Sequence, residues 1–305
     1  QQLPKYWRNR NALTYLLWPI ELVYKFVIRL RQGAYALGIF KQHRLDATVL
    51  VVGNVVVGGG GKTPLTIAIV QRLKAEGYKI GVLSRGYGRS NSSLQIVNAQ
   101  SLANEVGDEP LMIFQKCDVP VVVGAQRVEA AKYLLQQFPE VRVLVCDDGL
   151  QHIALQRDIE ICVMDNMGLG NGHMLPAGPL REPWPRPIDL LLHTHQRTLP
   201  DGFESKRELS AYALTSHGQQ LALSSLMSVK VEVVSGIAKP AAFIAMLEQA
   251  QLQIGHASAL PDHDDFSSWK PLHPEMPLLC TEKDAVKLWT RFPQALAIPL
   301  VFEAE

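Results

Sequence analysis

The sequence predicts an α/β protein built on a doubly wound, mostly parallel sheet. From residue 47 onward, apolar strand-like segments alternate with helix-like segments, which is the order that produces parallel sheets. The segments ending at Val123 and Cys146 are almost continuously apolar, as expected for strands covered on both faces. The pattern predicts strands at 48–57, 79–84, 119–123, 141–146, 159–164 and 189–193, and helices at 66–75, 109–117 and 126–138. Ligands of such sheets bind outside the carboxyl ends of the strands.

The segment that follows the first strand indicates a phosphate-binding loop. It reads Gly58-Gly59-Gly60-Gly61-Lys62-Thr63-Pro64 and leads into the next helix. Glycines allow backbone N–H groups to turn towards a phosphate, and the helix N-terminus adds positive potential. Lys62 would reach the terminal phosphates and the Thr63 hydroxyl would bind Mg²⁺. Val56 stands where the motif begins with glycine, but the Gly-Lys-Thr end is intact. We therefore predict a P-loop NTPase-like fold.

Size and composition limit the remaining classes. With 305 residues and 47% hydrophobic residues, the chain is long enough for two domains. The net charge of +1 and the absence of long basic runs give no reason to expect a nucleic-acid partner. The four cysteines have no C-x-x-C spacing and are expected to be buried thiols in a reducing compartment.

Changes in pattern along the chain predict the domain boundaries. We expect a helical segment at 1–43, a nucleotide-binding domain at 44–207, a β-hairpin linker at 208–227 and a smaller α/β domain at 228–305. In the last of these, strands are predicted at 229–234 and 277–281, and helices at 240–251 and 282–289.

The first forty residues predict an amphipathic helix. On a helical projection one face is apolar, and Glu21, Lys25 and Arg29 share another face. Pro19 lies within this segment and predicts a kink or two helices. Two interpretations stay open: a helix packed on the protein's own core, or a helix lying on an anionic membrane surface. The apolar face consists of Leu13, Leu16, Leu17, Ile20, Val23, Tyr24, Val27 and Leu30.

Two acidic motifs fall at predicted strand or helix ends. Asp147 and Asp148 end an apolar strand, where a P-loop protein holds Mg²⁺, although paired aspartates also make ordinary turns. Gln151 and His152 follow within a few residues. Asp108 opens a helix in Gly107-Asp108-Glu109-Pro110, where it could serve as a helix cap, as a base that accepts a hydroxyl proton, or as both.

Several cationic side chains could bind phosphate or sugar. Arg85 and Tyr87 lie in a glycine-punctuated loop after a strand, and Arg181 lies in a proline-stiffened loop. Arg127 adds a further positive charge near a predicted helix start. His263 is surrounded in sequence by three carboxylates, which favours a polarised histidine over a metal ligand.

Together these strings resemble the tetraacyldisaccharide 4'-kinases of lipid A biosynthesis over nearly the whole chain. The motifs that carry the resemblance are Gly53-Asn54 with the glycine loop, Ser84-Arg85-Gly86-Tyr87-Gly88, Gly107-Asp108-Glu109-Pro110, Asp147-Asp148-Gly149-Leu150-Gln151-His152, Leu180-Arg181-Glu182-Pro183, Ser235-Gly236-Ile237-Ala238-Lys239-Pro240, Asp262-His263 and Thr281-Glu282-Lys283-Asp284-Ala285-Val286-Lys287. Their order is far more specific than the glycine loop alone.

The resemblance implies transfer of the ATP γ-phosphate to the 4'-hydroxyl of a tetraacyldisaccharide 1-phosphate, at the cytoplasmic face of the bacterial inner membrane. ATP and Mg²⁺ are the implied cofactors, and no obligatory protein partner is implied. The implied catalytic residues are Asp108, His263, Lys62 and Arg181. The implied ligands are Gly58, Gly59, Gly60, Gly61, Lys62, Thr63 and Pro64 for ATP; Thr63, Asp147, Asp148 and Glu109 for Mg²⁺; and Asn54, Arg85, Tyr87, Arg127, Gln151 and His152 for substrate.

Two other functions stay open on the residues alone. A P-loop ATPase that acts as a switch or metallochaperone would need the glycine loop but has no task for Asp108 and His263. A kinase for a different lipid or sugar is also compatible, because no motif by itself identifies the acceptor.

Overall fold

The computed structural model describes residues 5–58, 61–89, 93–194 and 197–304. Its strands, in chain order, are β1 (Thr48–Gly53), β2 (Ile80–Ser84), β3 (Gln95–Ile96), β4 (Val121–Val123), β5 (Val143–Asp147), β6 (Ile159–Met164), β7 (Leu190–His193), β8 (Phe203–Leu209), β9 (Tyr212–Leu214), β10 (Gln220–Ala222), β11 (Lys230–Ser235), β12 (Gln253–Ala259), β13 (Leu278–Thr281), β14 (Leu296–Ile298) and β15 (Leu300–Ala304). Its α-helices are α1 (Ala12–Ala36), α2 (Lys62–Ala75), α3 (Ala103–Val106), α4 (Asp108–Cys117), α5 (Arg127–Gln137), α6 (Pro240–Gln249) and α7 (Glu282–Leu288).

Among the residues that the structure describes, the larger sheet has nine strands in the order β15-β8-β7-β6-β1-β5-β2-β4-β3. Strands from β4 to β8 in this order pair in parallel, and the antiparallel pairs lie at the two ends. Buried apolar clusters cover both faces, one against α2 and α4 and the other against α5 and α1. The predicted doubly wound, mostly parallel fold is therefore confirmed.

The first strand is shorter than predicted. It ends at Gly53, and the next residues pair with the proline-rich loop: the amide of Val57 donates to the Pro179 carbonyl (2.9 Å), and the amide of Arg181 donates to the Val55 carbonyl (2.7 Å). This pairing places Arg181 beside the start of the glycine loop.

In the described part of the chain, the smaller sheet has six strands in the order β10-β9-β14-β13-β11-β12. The predicted hairpin is present as antiparallel β9 and β10, and it joins this sheet through β14. After β14 the chain returns to the larger sheet, where β15 pairs with β8. The predicted boundaries at 43, 207 and 227 stay a prediction, but the last strand pairs with the larger sheet, not the smaller one.

The first helix is one continuous element, so the two-helix alternative is wrong. Asn11 caps α1 through the Thr14 amide, and Pro19 lies inside the helix. The predicted polar face is only partly at the surface: Glu21 is completely buried, and its carboxylate contacts the His173 Nδ1 (2.7 Å), the Met174 amide (2.8 Å) and the Lys25 ammonium (2.6 Å). Helix α1 therefore packs on the body through Glu21 together with the half-buried side chains of Leu17, Tyr24 and Ile28.

The opposite side of α1 is apolar and exposed. Leu16 is 73% exposed, Val23 is 64% exposed and Phe26 is 65% exposed. Other exposed apolar side chains on α1 and just after it are Tyr15, Trp18, Ile20, Leu22, Val27, Leu30, Leu37, Ile39 and Phe40. Within the described ranges, the structure has no helix with the length and apolar character needed to cross a bilayer.

We predict that Glu21→Ala lowers the free energy of unfolding by about 3 kcal/mol, because it leaves the half-buried His173 side chain and the buried Met174 amide without their partner. Leu16→Ala is the matched control on the same helix; because Leu16 is exposed, we expect a change within about 0.5 kcal/mol. Urea unfolding measures both. Equal losses in the two variants would contradict the anchoring role of Glu21.

The contribution of Glu21 to the free energy of unfolding should also depend on pH. Burial raises the pKa of Glu21, but the hydrogen bonds with Lys25, His173 and the Met174 amide hold it below its ordinary value of 4.5. The ionised carboxylate therefore stabilises the folded state fully above that value, and the stabilisation is lost as the pH falls through the lowered pKa.

Candidate active site

The glycine loop leads directly into α2, as the sequence predicts. Gly61 takes a left-handed conformation (φ 90°) at the N-cap, and Pro64 lies in the first turn, where the missing N–H costs no helix bond. The Lys62 ammonium donates to the Gly58 carbonyl (3.2 Å) and lies 3.7 Å from an Asp148 carboxylate oxygen. Gly59 and Gly60 lie outside the described residues. The loop thus presents a lysine and a helix N-terminus at the carboxyl end of β1.

Asp147 ends β5, the strand beside β1, and Asp148 follows it, but their side chains have different surroundings. Asp147 is buried and accepts a hydrogen bond from the Thr66 hydroxyl (3.1 Å). Burial, together with the charges of Glu109 and Asp148, raises the pKa of Asp147 to about 7. Negative charge is therefore concentrated at this strand end, next to Lys62.

Asp148 faces cations. Its backbone is left-handed (φ 52°), and its two carboxylate oxygens accept hydrogen bonds from one Arg181 nitrogen (3.1 and 3.2 Å). Burial raises the pKa of Asp148, but the charges of Lys62 and Arg181 hold it below its ordinary value. Glu109 faces the Lys283 ammonium (3.7 Å). In the part of the chain that is described, no three His, Cys, Asp or Glu side chains form a group that could hold a metal ion.

The side chains predicted to bind substrate fall into an inner group and an outer group. Arg127 is buried at the start of α5, where it donates to the Gly124 carbonyl and to the Asp147 carbonyl (3.4 Å). Burial, with the charges of Arg127 and Arg85, lowers the pKa of His152 to about 4, so this imidazole is neutral near neutral pH. Arg85 and Tyr87, in contrast, are exposed in the loop after β2.

Asn54 follows β1 and leads towards the glycine loop, and Gln151 is hydrogen-bonded to it. Asn54 is completely buried; its side chain accepts from the Val56 amide and its carbonyl accepts from Gln151 (3.1 Å). Gln151 also donates to Glu182 (2.7 Å) and accepts from Arg181 (3.3 Å). These contacts orient Arg181. The side-chain nitrogen of Asn54, in contrast, is buried without a hydrogen-bond partner among the described residues.

Asp108 and His263 are brought together although they are far apart in sequence. The helix cap is Gly107, so Asp108 is not the N-cap but the first helical residue, with its side chain left available. Its Oδ2 lies 3.0 Å from the His263 Nδ1 and 2.9 Å from the Lys287 ammonium. Burial raises the pKa of Asp108, but His263, Lys287 and Lys283 hold it below its ordinary value of 3.8. The result is a buried, ionised carboxylate oriented by a histidine.

Comparison with known proteins decides the family. A family model described as tetraacyldisaccharide-1-P 4'-kinase matches residues 13–304. The chain belongs to this family. The tetraacyldisaccharide 4'-kinase of Acidovorax sp. (strain JS42) is 49% identical over 96% of this chain and 88% of the relative. That of Polaromonas naphthalenivorans (strain CJ2) is 45% identical over 100% of this chain and 92% of the relative.

A solved structure of the same family has the same fold. It is a crystal structure of LpxK from Aquifex aeolicus, described as an "apo" form in complex with ATP. The two structures superpose with a TM-score of 0.85 at 30% sequence identity, and the match covers 96% of each chain. The fold and the membership in the tetraacyldisaccharide 4'-kinase family therefore agree with the resemblance found in the sequence motifs.

Sequence reasoning did not assign roles to Lys283, Lys287, Thr66 and Glu182. Lys283 and Lys287 lie within a motif that carried the family resemblance, and their spacing of four residues puts them on one side of α7. This four-residue spacing was the sequence feature that could have marked the two lysines as a pair. Their partners, Asp108 and Glu109, come from the other sheet unit and could not be found without the tertiary structure.

We predict that Gly107→Ala destabilises this kinase by about 1 kcal/mol more than Gly77→Ala does. Both glycines have positive φ (97° and 89°), so alanine is strained at both. Only at Gly107 would a Cβ meet backbone, 3.0 Å from the Gly86 Cα, and nothing lies within 4 Å at Gly77. Urea unfolding compares the two variants, and equal losses would mean that the close approach at Asp108 is not required.

Proposed function

We propose that this chain phosphorylates the 4'-hydroxyl of a tetraacyldisaccharide 1-phosphate with ATP, giving lipid IVA in lipid A biosynthesis. Membership in the kinase family supports the reaction, and it favours the kinase over the ATPase-switch alternative. The observation that carries the mechanism is the buried Asp108–His263 pair (3.0 Å), because a nucleotide switch has no need of an oriented base.

The nucleotide would bind at the glycine loop. The LpxK structure described with ATP has the same fold, which supports this placement. The N–H groups at the start of α2 would receive the phosphates, and Lys62 would exchange its Gly58 contact for the phosphate oxygens. Arg181, fixed by Asp148 and Gln151, would offset the negative charge that develops during transfer.

Asp108 would act as the base. Its ionised carboxylate accepts the proton of the acceptor hydroxyl while that oxygen forms a bond to the γ-phosphorus. The bond between the γ-phosphorus and the β–γ bridging oxygen breaks, and ADP leaves with that oxygen. His263, which comes from the smaller sheet unit, orients the carboxylate. The reaction therefore requires both units to meet at Asp108.

The residues at the end of β5 fit a divalent cation. A pKa of about 7 at buried Asp147 reflects burial together with neighbouring negative charge from Glu109 and Asp148, and a hard oxygen-binding cation would offset that charge. We propose that Asp147 and Thr63 would hold Mg²⁺, and the four-residue set that includes Asp148 and Glu109 stays a prediction. Bound Mg²⁺ supplies charge neutralisation at the phosphates.

We predict that Asp108→Asn lowers kcat for lipid phosphorylation by about 10²- to 10⁴-fold, because the amide cannot accept the proton. Asp118→Asn, at the other end of α4 and exposed, is the matched control and should leave kcat unchanged. The assay uses Mg-ATP and detergent-dispersed tetraacyldisaccharide 1-phosphate, and calorimetry checks that ATP affinity is retained. Undiminished transfer by Asp108→Asn would contradict the base assignment.

We further propose that α1 binds the cytoplasmic surface of the inner membrane through its exposed apolar side. A substrate with four acyl chains stays in the bilayer, since each buried CH₂ contributes about 0.8 kcal/mol. The exposed side of α1 is apolar, and Glu21 on its other side is buried in the protein. The helix therefore presents an apolar surface that can enter a membrane.

We predict that the double variant Ile20→Glu with Val27→Glu lowers binding to phosphatidylglycerol vesicles by at least about tenfold, because two carboxylates would have to enter the interface. The control places the same charges on apolar residues exposed elsewhere, Tyr78→Glu with Leu272→Glu. Vesicle flotation measures the bound fraction. Equal binding by both double variants would show that α1 is not the membrane-binding surface.

A further inference from the structure

Two lysines of α7 lie at the contact with α4, beside the proposed base and its histidine. Lys283 and Lys287 are one helical turn apart, and their side chains are only 17% and 11% exposed. Neither residue takes part in the proposed binding of ATP or in the proposed proton transfer. Both ammonium groups are nonetheless directed at members of the Asp108–His263 pair.

The two ring nitrogens of His263 face different partners, Asp108 at Nδ1 and the Lys283 ammonium at Nε2. The Lys283 ammonium lies 3.3 Å from the His263 Nε2 and 3.2 Å from the Asp262 carboxylate. The carboxylates of Asp262 and Glu109 (3.7 Å) face this ammonium as well. An ammonium has three donors and no acceptor, so Nε2 must accept. The proton of a neutral His263 is then on Nδ1, which donates to Asp108.

The opposite tautomer has a poorer partner. A proton on Nε2 would have to donate to Asp262, whose nearest oxygen lies 3.8 Å away, beyond hydrogen-bond distance. It would also face the Lys283 ammonium, and Nδ1 would lose the proton it donates to the Asp108 Oδ2. The arrangement of Asp108, Asp262 and Lys283 around the ring therefore favours the Nδ1–H form.

Lys287 acts on the carboxylate itself. Its ammonium donates to the Asp108 Oδ2 (2.9 Å) and to the Asp264 carbonyl (2.6 Å), and it lies over the Phe266 ring (5.5 Å). His263 and Lys287 thus share one carboxylate oxygen. Among the described residues, no side chain forms a hydrogen bond with the other oxygen, Oδ1.

The geometry points to Lys283 and Lys287 as the positioning residues of this kinase: Lys283 holds His263 in the Nδ1–H tautomer, and Lys287 with His263 occupies Oδ2 so that Oδ1 receives the proton of the acceptor. This inference rests on the proposed function. It makes His263 an orienting donor and not the acceptor of the proton, because Nδ1 already carries a hydrogen. The hydroxyl proton moves to Oδ1, and Asp108 becomes a neutral acid that still accepts from His263 and Lys287 at Oδ2.

The direct test is the ¹⁵N spectrum of the protein labelled at histidine, with His263→Gln used to assign the His263 signals. We expect a protonated Nδ1 and an unprotonated Nε2 in the unmodified protein. Lys283→Met should allow the Nε2–H form, and Lys283→Arg should restore Nδ1–H because a guanidinium also only donates. A protonated Nε2 in the unmodified protein would overturn the inference.

Kinetics provide the second measurement. Lys283→Met and Lys287→Met should each lower kcat by at least about tenfold with little change in the KM for ATP, and Lys283→Arg should recover part of the loss. Lys116→Met is the matched control, because Lys116 crosses the same α4–α7 contact to Glu282 (2.7 Å) without touching Asp108 or His263. If Lys116→Met lost as much kcat as Lys283→Met, the two lysines would only stabilise the interface, and the positioning role would be overturned. Unchanged kcat in both Lys283→Met and Lys287→Met would also overturn the positioning role.

The spectrum needs no substrate, so it tests the His263 tautomer independently of the proposed function. If the unmodified protein transferred no phosphate to the lipid, the proposed function would fail, and an Nδ1–H spectrum that changes in Lys283→Met would still support the role of Lys283 at His263.

Discussion

The active site depends on one buried carboxylate that is held from both parts of the molecule. Asp108 begins α4 in the larger unit, and its Oδ2 is bonded by His263 and Lys287 from the smaller unit. A buried carboxylate is costly without partners, and removing either partner would leave it undercompensated. The same contact that stabilises the junction therefore also orients the proposed base, so folding and chemistry share one interaction.

The topology of the parallel sheet concentrates charge around this junction. Strands β1 and β5 are neighbours, so the lysine that follows one strand meets the aspartates that end the other. Arg181 reaches the same place by a different route, because the proline-rich loop pairs with residues 55–57 after β1 has ended. Fixed cations and carboxylates are thereby positioned before any ligand binds, which is the condition for electrostatic catalysis of phosphoryl transfer.

Helix α1 connects this site to the outer surface. Its buried side carries a carboxylate bonded to His173 and Met174, and the Tyr24 hydroxyl donates to the Arg181 carbonyl (2.9 Å). Its outer side is apolar over most of its length. A surface helix usually turns its apolar side inward. In α1 the inward side carries a buried carboxylate among half-buried apolar residues, and the outward side is mostly apolar, which reverses that arrangement. The reversal is understandable if the outer side faces lipid, and it links the proposed membrane contact to the backbone of a site residue.

The sequence by itself determined the sheet type, the glycine loop, the positions of Asp108 and Asp147, and the family, because alternating patterns and ordered motifs are local properties of the chain. It missed β3, β12, β14, β15 and most of β8. Strands β3 and β14 have only two and three residues, β8 and β15 pair with each other across a long sequence separation, and β12 is an edge strand with few apolar residues. It also gave no sign that Glu21 lies in the interior. Only the tertiary structure decided that Glu21 is buried, that Asp148 faces Arg181, and that Lys283 and Lys287 meet Asp108 and His263. These contacts join residues far apart in sequence, so their geometry is set by how the two sheet units pack together and not by any local pattern.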